Sequence, residues 1–194
     1  MADLKQKIEE LKQYPLSDSE IQKITGHKLL IYQELYNYDT LEHLLHMNNG
    51  SVIIMYLQTD QYGHYCCLSK ISDREVEFFD PYGLFPDKQL KFTDFNMNKK
   101  VKQDHTYLSW LMYNSLFKLS FNHYKFQKKT PPVQTCGWWC SSRIKNKNLS
   151  LKQYKKLVDD GVKHLKQVKL KNVTPDDWVV IDMYDECFLN FYLV

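Results

Sequence analysis

At Ser51, about a quarter of the way along this chain, the hydrophobic period changes from helical to strand-like, and that change limits the folds open to it. Ser51 to Leu57 is an uninterrupted, β-branched apolar run that suits a buried strand, and it follows the turn-forming Asn48-Asn49-Gly50. A strand hairpin is expected from about Tyr62 to Asp80. Before it, Leu4 to Tyr14 has apolar residues at helical spacing, Ser17-x-x-Glu20 has the form of a capping box opening a short helix that ends at Gly26, and Asp39-Thr40 caps a third helix through Leu41, Leu44 and Leu45. After it, Tyr107 to Phe117 reads as a helix and His123 to Gln127 as a strand. Cys136 begins another helix that stops near Asn146, and Ser150 caps a long amphipathic helix carrying Leu151, Tyr154, Leu157, Val158, Val162 and Leu165. The apolar tail from Trp178 to Val194 is a closing helix or strand. Helices, a clustered and mainly antiparallel sheet, then helices again define an α+β domain.

At 194 residues and 43% hydrophobic, the chain fills one core, so residues 1–194 form a single domain. No window approaches the roughly 18 apolar residues of a membrane span, and the acidic, Lys-rich N-terminus lacks the apolar core of a secretory signal. A soluble, intracellular monomer is expected. The cysteines number five, and neither Cys66-Cys67 nor Cys136-x3-Cys140 has the paired C-x2-C spacing of structural zinc sites. Reduced thiols follow, with neither metal nor cofactor. The net charge is only +3, yet Lys145, Lys147, Lys152, Lys155 and Lys156 bunch together, with Lys163, Lys166, Lys169 and Lys171 behind them. Such a run is a solvated helix face or a weak nucleic-acid contact.

Chemistry concentrates in Thr135-Cys136-Gly137-Trp138-Trp139-Cys140. It places a cysteine where a helix begins, and backbone N–H groups with the helix dipole favour a thiolate there. The hairpin supplies a base. If Ile71-Ser72-Asp73 form a three-residue loop, partner numbers sum to 144, pairing Leu68 with Val76, Cys66 with Phe78 and His64 with Asp80. Opposed Cβ atoms lie about 4.5–5.5 Å apart, within reach of an imidazole–carboxylate hydrogen bond. A carboxylate on one ring nitrogen fixes the tautomer and raises the basicity of the other, as a base paired to a thiol requires.

Gly63-His64-Tyr65, Phe79-Asp80-Pro81-Tyr82-Gly83 and Cys136-Gly137-Trp138-Trp139-Cys140, in that order, resemble the His, acid and Cys motifs of the adenain-like cysteine proteases. These are relatives of the ubiquitin-like-protein proteases found in adenoviruses, virophages and Polinton-type elements, and the virophage and Polinton maturation proteases are the most similar in style. Leu16-Ser17-Asp18-Ser19-Glu20-Ile21 resembles the opening of many such viral enzymes. The resemblance implies a papain-like fold with Cys136 as nucleophile, His64 as general base and Asp80 as its orienting acid. It further implies cleavage of capsid or virion precursor proteins beside glycine or other small residues, in the virion and the viral factory of the host cytoplasm. Tyr65, where many relatives carry Trp, would cover the substrate tunnel. Trp138 would contact substrate or pack beneath the nucleophile.

The family's oxyanion-hole glutamine usually lies six or seven residues before the cysteine, where this chain has Thr130 and Lys129. Gln127 would fill the role across a loop lengthened by Pro131-Pro132, and Gln134 would fill it from the turn before Cys136. The same catalytic residues would serve an enzyme deconjugating ubiquitin-like modifiers, and the cleft alone would serve an inactive peptide-binding module.

Overall fold

A computed structural model of the chain describes residues 2–129, 132–167 and 173–192. Five strands form one sheet in sequential order: β1 (Leu29–Ile31), β2 (Ser51–Leu57), β3 (Gly63–Ser72), β4 (Glu75–Phe79) and β5 (Lys118–Phe121). The two central pairings, β2 with β3 and β3 with β4, are antiparallel. Both outer pairings are parallel, so the sheet is mixed where a mainly antiparallel one is expected from the sequence.

Helices cover both faces. Alternation along β2 divides the interior, with Ile53, Met55 and Leu57 turned to one core and Val52, Ile54 and Tyr56 to the other. The first core is closed by α1 (Ala2–Gln13), α2 (Asp18–Thr25), α6 (Cys136–Lys145), α7 (Leu151–Gln167) and α8 (Pro175–Tyr192). The second lies under α3 (Leu41–Met47) and α5 (Tyr107–Tyr113), while the short α4 (Phe95–Lys100) stands apart from both clusters. Because helices sit on both sides, Ser51 to Leu57 is buried at every position, as a continuous apolar strand requires.

The caps follow their chemistry. Ser17 and Glu20 close a reciprocal capping box on α2, Gly26 ends that helix at φ +70°, and Thr40 caps α3 through the His43 N–H. Ser150 receives the Gln153 N–H at the start of α7, where Lys155 and Lys156 pair with Asp159 and Asp160 one turn on. Three of the five α7 lysines, Lys155, Lys156 and Lys163, thus pair with Asp159 and Asp160, and the helix stays net basic; Lys169 and Lys171 lie outside the described residues, as does Val194.

Three expectations need correction. The hairpin turns through Asp73 and Arg74 and carries a bulge between Lys70 and Ser72, so partners sum to 146: Leu68 pairs with Phe78 and Cys67 with Phe79. A shift of two preserves every face, because side chains alternate with period two. The His123–Gln127 strand does not form; the strand is Lys118–Phe121, whose β-paired backbone runs beside β4, and Asn122 then turns the chain. Finally, the helix expected over Tyr107 to Phe117 ends at Tyr113, capped by Asn114.

Candidate active site

Cys136 is the first residue of α6, and its placement is determined by what precedes it. Thr135 is the helix N-cap, but its hydroxyl turns away and donates to Asp176 Oδ1 at 2.5 Å. The Thr135 side chain therefore does not cap the first amides of α6, which lie beside the thiol. Asp176 also accepts from Trp139 Nε1 at 2.9 Å and from the Lys128 N–H at 3.2 Å, tying α8 to the start of α6 and to the segment after Gln127. Burial pushes its carboxyl above the usual range. Farther along α6, Arg143 makes a buried two-pronged contact with Glu77 of β4, at 2.6 and 3.0 Å. Gly137 permits the close approach of α2, since a Cβ there would lie 3.2 Å from Ile21 Cδ1 and 3.3 Å from Leu16 Cβ.

His64 and Asp80 meet at the end of the sheet. In the observed register Asp80 falls diagonally across from His64, and the pair still bonds, with Nε2 3.1 Å from Oδ1. The imidazole stacks on Tyr82 at 4.5 Å between ring centres and 11° between planes. Asp80 is wholly buried and fully employed: Oδ1 also accepts the Tyr82 N–H at 2.7 Å, and Oδ2 accepts the Gln89 amide at 2.7 Å. Its carbonyl receives Asn122 Nδ2 and the Gly83 N–H. Gly83 is at φ +70°, and a Cβ there would strike the Tyr124 carbonyl oxygen at 2.8 Å, so this turn requires glycine.

With Nε2 committed to Asp80, Nδ1 is the nitrogen left for Cys136. Burial opposes charge on the imidazole, yet the Asp80 carboxylate and the Cys136 side chain outweigh it and raise the His64 pKa from 6.5 to about 9. Cys66, beneath the pair, is the opposite case: burial, then Asp80, push its thiol well above the ordinary value. Ligand-type atoms of His64, Cys66 and Asp80 lie within 4.8 Å of one another, a grouping unique among the described residues. His64 and Asp80 already bond each other, and Tyr82 and Gln89 occupy the carboxylate, so hydrogen bonds fill that set.

A cleft of about 570 Å³ opens over Cys136, walled by Leu16, Asp18, Met55, Tyr62, Tyr65 and Gln134. Tyr65 thus belongs to the cleft, with its hydroxyl 3.3 Å from Asp18 Oδ1 and 3.4 Å from the Leu16 carbonyl. Trp138 does not: it is wholly buried, and its Nε1 donates to the Tyr14 carbonyl. A substrate-contacting role does not fit that position, and packing behind the nucleophile does. Gln134 lies on the cleft wall with its N–H bonded to the Lys12 carbonyl, whereas Gln127 is anchored to the Pro81 carbonyl and buried. Thr130 and Pro131, on the loop between them, lie outside the described residues.

Over 179 residues the chain is 35% identical to "Uncharacterized protein V9" of Sputnik virophage, a match covering 90% of this chain and 98% of that protein. The chain belongs to that virophage protein's family. No known family profile matches it. For this virophage family member, the sequence motifs missed Gln89, Asn122 and Asp176, and they gave no role to the Tyr82 ring. A buried carboxylate must find donors, which was a signal that something faced Asp80. Nothing in the spacing of Gln89 identified it as that donor.

Proposed function

We propose that this protein is a cysteine endopeptidase of papain-like, adenain-type architecture that cleaves virion precursor proteins. The observation that carries the reading is a single imidazole held at Nε2 by a buried carboxylate while its other side addresses a cysteine at an uncapped helix start, on the floor of a cleft. His64 Nδ1 accepts the thiol proton, and the sulfur attacks a peptide carbonyl. The Cys136 N–H and a glutamine amide, Gln127 in our assignment, hold the oxyanion. His64 then returns the proton to the leaving amine. Water, activated by the same imidazole, hydrolyses the thioester.

Kinship with a virophage protein supports virion proteins as substrates and the viral factory as the place of action. A glycine or other small residue beside the scissile bond is the expected specificity. The test is cleavage-site mapping on the virion proteins encoded beside this gene, with Cys136→Ala as control. Products ending at small residues with the wild type and none with the variant are expected; intact virion proteins alongside cleaved ubiquitin-like fusions would reassign the substrate.

A further inference from the structure

Both carboxylate oxygens of Asp80 are supplied with donors, and one of those donors comes from outside the motifs. Gln89 sits in the 3-10 turn Lys88–Phe92, is 3% exposed, and points its Nε2 at Asp80 Oδ2 from 2.7 Å. The turn that delivers it is itself nailed down. Asp87, directly before it at φ +62°, accepts the Tyr32 hydroxyl at 2.7 Å, the Tyr56 hydroxyl at 3.2 Å and the Ser109 N–H at 2.7 Å. A residue preceding β2, β2 itself and α5 thus converge on one carboxylate whose neighbour reaches the site.

We propose that Gln89 is a positioning residue: by holding the Asp80 oxygen that faces away from the imidazole, it sets the plane of the carboxylate and keeps the other oxygen on His64. The inference rests on the reading of His64 and Asp80 as a base and its orienting acid. Two fixed points define the carboxylate plane, the Tyr82 N–H on Oδ1 and Gln89 on Oδ2. Without the second, a wholly buried oxygen loses its donor. An orphaned buried acceptor is costly, so the carboxylate turns toward another donor or is neutralised. Either response weakens the anion that His64 sees. The groups facing the imidazole are Asp80, the Cys136 side chain, the Tyr82 ring and, beneath it, the Cys66 thiol, whose raised pKa keeps it uncharged. Weakening Asp80 therefore leaves burial to dominate and lowers the imidazole pKa.

The experiment follows His64 by NMR titration and Cys136 by iodoacetamide labelling, in the full-length protein. Gln89→Met keeps length and removes the donor, Gln89→Asn keeps the amide and withdraws it by one methylene, and Gln89→Glu restores a donor by sharing a proton with Asp80. We expect His64 to titrate about one unit or more below its wild-type value near 9 in the Met and Asn variants. Labelling of Cys136 at pH 7 should slow about tenfold in both, and the Glu variant should recover most of each loss. A folded Met or Asn variant whose His64 titrates like the wild type overturns the proposal, as does a Glu variant no better than Met. If Met fails to fold, the Asn variant decides. Peptidase activity is scored separately: wild-type protein that cleaves no virion peptide sinks the protease reading, while the titration still rules on Gln89.

Discussion

Around His64 the polar groups are bonded on every side, whereas around the two glutamines nearest the nucleophile they are not. Asp80 uses both carboxylate oxygens and its carbonyl. Among the described residues, Gln127 and Gln134 are anchored through their backbone N–H groups, and the side-chain oxygen of each is buried without a partner. Buried polar atoms are ordinarily paired, so an unpaired one marks a place where the fold stops providing for itself. The proton-handling half is built as core; beside the nucleophile the unpaired atoms are two amide oxygens, which can accept an N–H but not bond a substrate carbonyl, so oxyanion donation would fall to the amide nitrogens.

The most severe way to break that contrast is to remove its reacting atoms. Cys136→Ala or His64→Ala should lower peptide cleavage by about 10⁴-fold or more, with circular dichroism unchanged. Asp80→Asn keeps a hydrogen-bonding side chain and loses the charge that supports imidazolium, so it should retain more activity than either. Wild-type rates in Asp80→Asn would remove Asp80 from the mechanism. Loss of the circular dichroism signal in Cys136→Ala would make the cysteine a structural residue.

The next test sharpens the contrast within the unfinished half. If Gln127 donates to the oxyanion, Gln127→Ala should lower kcat by roughly 10²–10³ with little change in KM, because the bond matters in the transition state. Gln134→Ala should cost a few-fold through slight movement of Thr135 and Cys136. The opposite ranking would transfer the role to Gln134, which already lines the cleft beside the thiol. Equal, small effects would leave the hole to backbone amides.

What could be read from the sequence separates along the same line. His64, Asp80 and Cys136 were legible because each depends on local pattern: strand alternation for the first two, a helix start for the third. The hairpin register was misread by two residues, since the turn lies at Asp73 and Arg74 and the bulge then takes back one position, neither of which hydrophobic alternation reveals, and the His–Asp contact survived because a two-residue shift keeps both side chains on one face. Gln89, Asp87 and Asp176 were illegible for a different reason. Each acts through contacts separated by nine to 55 positions in sequence, made by turns and a helix terminus whose paths the apolar period does not specify. The parallel strands β1 and β5 escaped notice or were misplaced because they are only three and four residues long, too short to show a period.

A milder perturbation is pH. The folded protein holds a proton on His64 up to about pH 9 that the unfolded chain releases near 6.5. Stability from this group is therefore complete below 6.5 and is lost as pH rises through about 9, because the native state binds more protons than the unfolded one across that window. Thermal melting should show Tm falling by a few degrees from pH 6.5 to 9.5, and the slope should flatten in His64→Ala. An equal slope in wild type and variant would mean that His64 is not the group responsible.

The smallest expected effect lies at Tyr65, on the boundary between the two halves. Its ring walls the cleft while its hydroxyl reaches back to Leu16 and Asp18, joining β3 to the entry of α2. Tyr65→Phe keeps the ring and deletes two long hydrogen bonds of 3.4 and 3.3 Å. Since a typical bond contributes about 0.5–1.5 kcal/mol net and these are at the far end of the distance range, stability should fall by less than about 1 kcal/mol. The α2 entry should loosen slightly, raising KM a few-fold and leaving kcat unchanged, because the hydroxyl faces the wall and not the reacting carbon. A loss concentrated in kcat would show that the wall reaches the transition state, and would move Tyr65 from the boundary into the acid–base half.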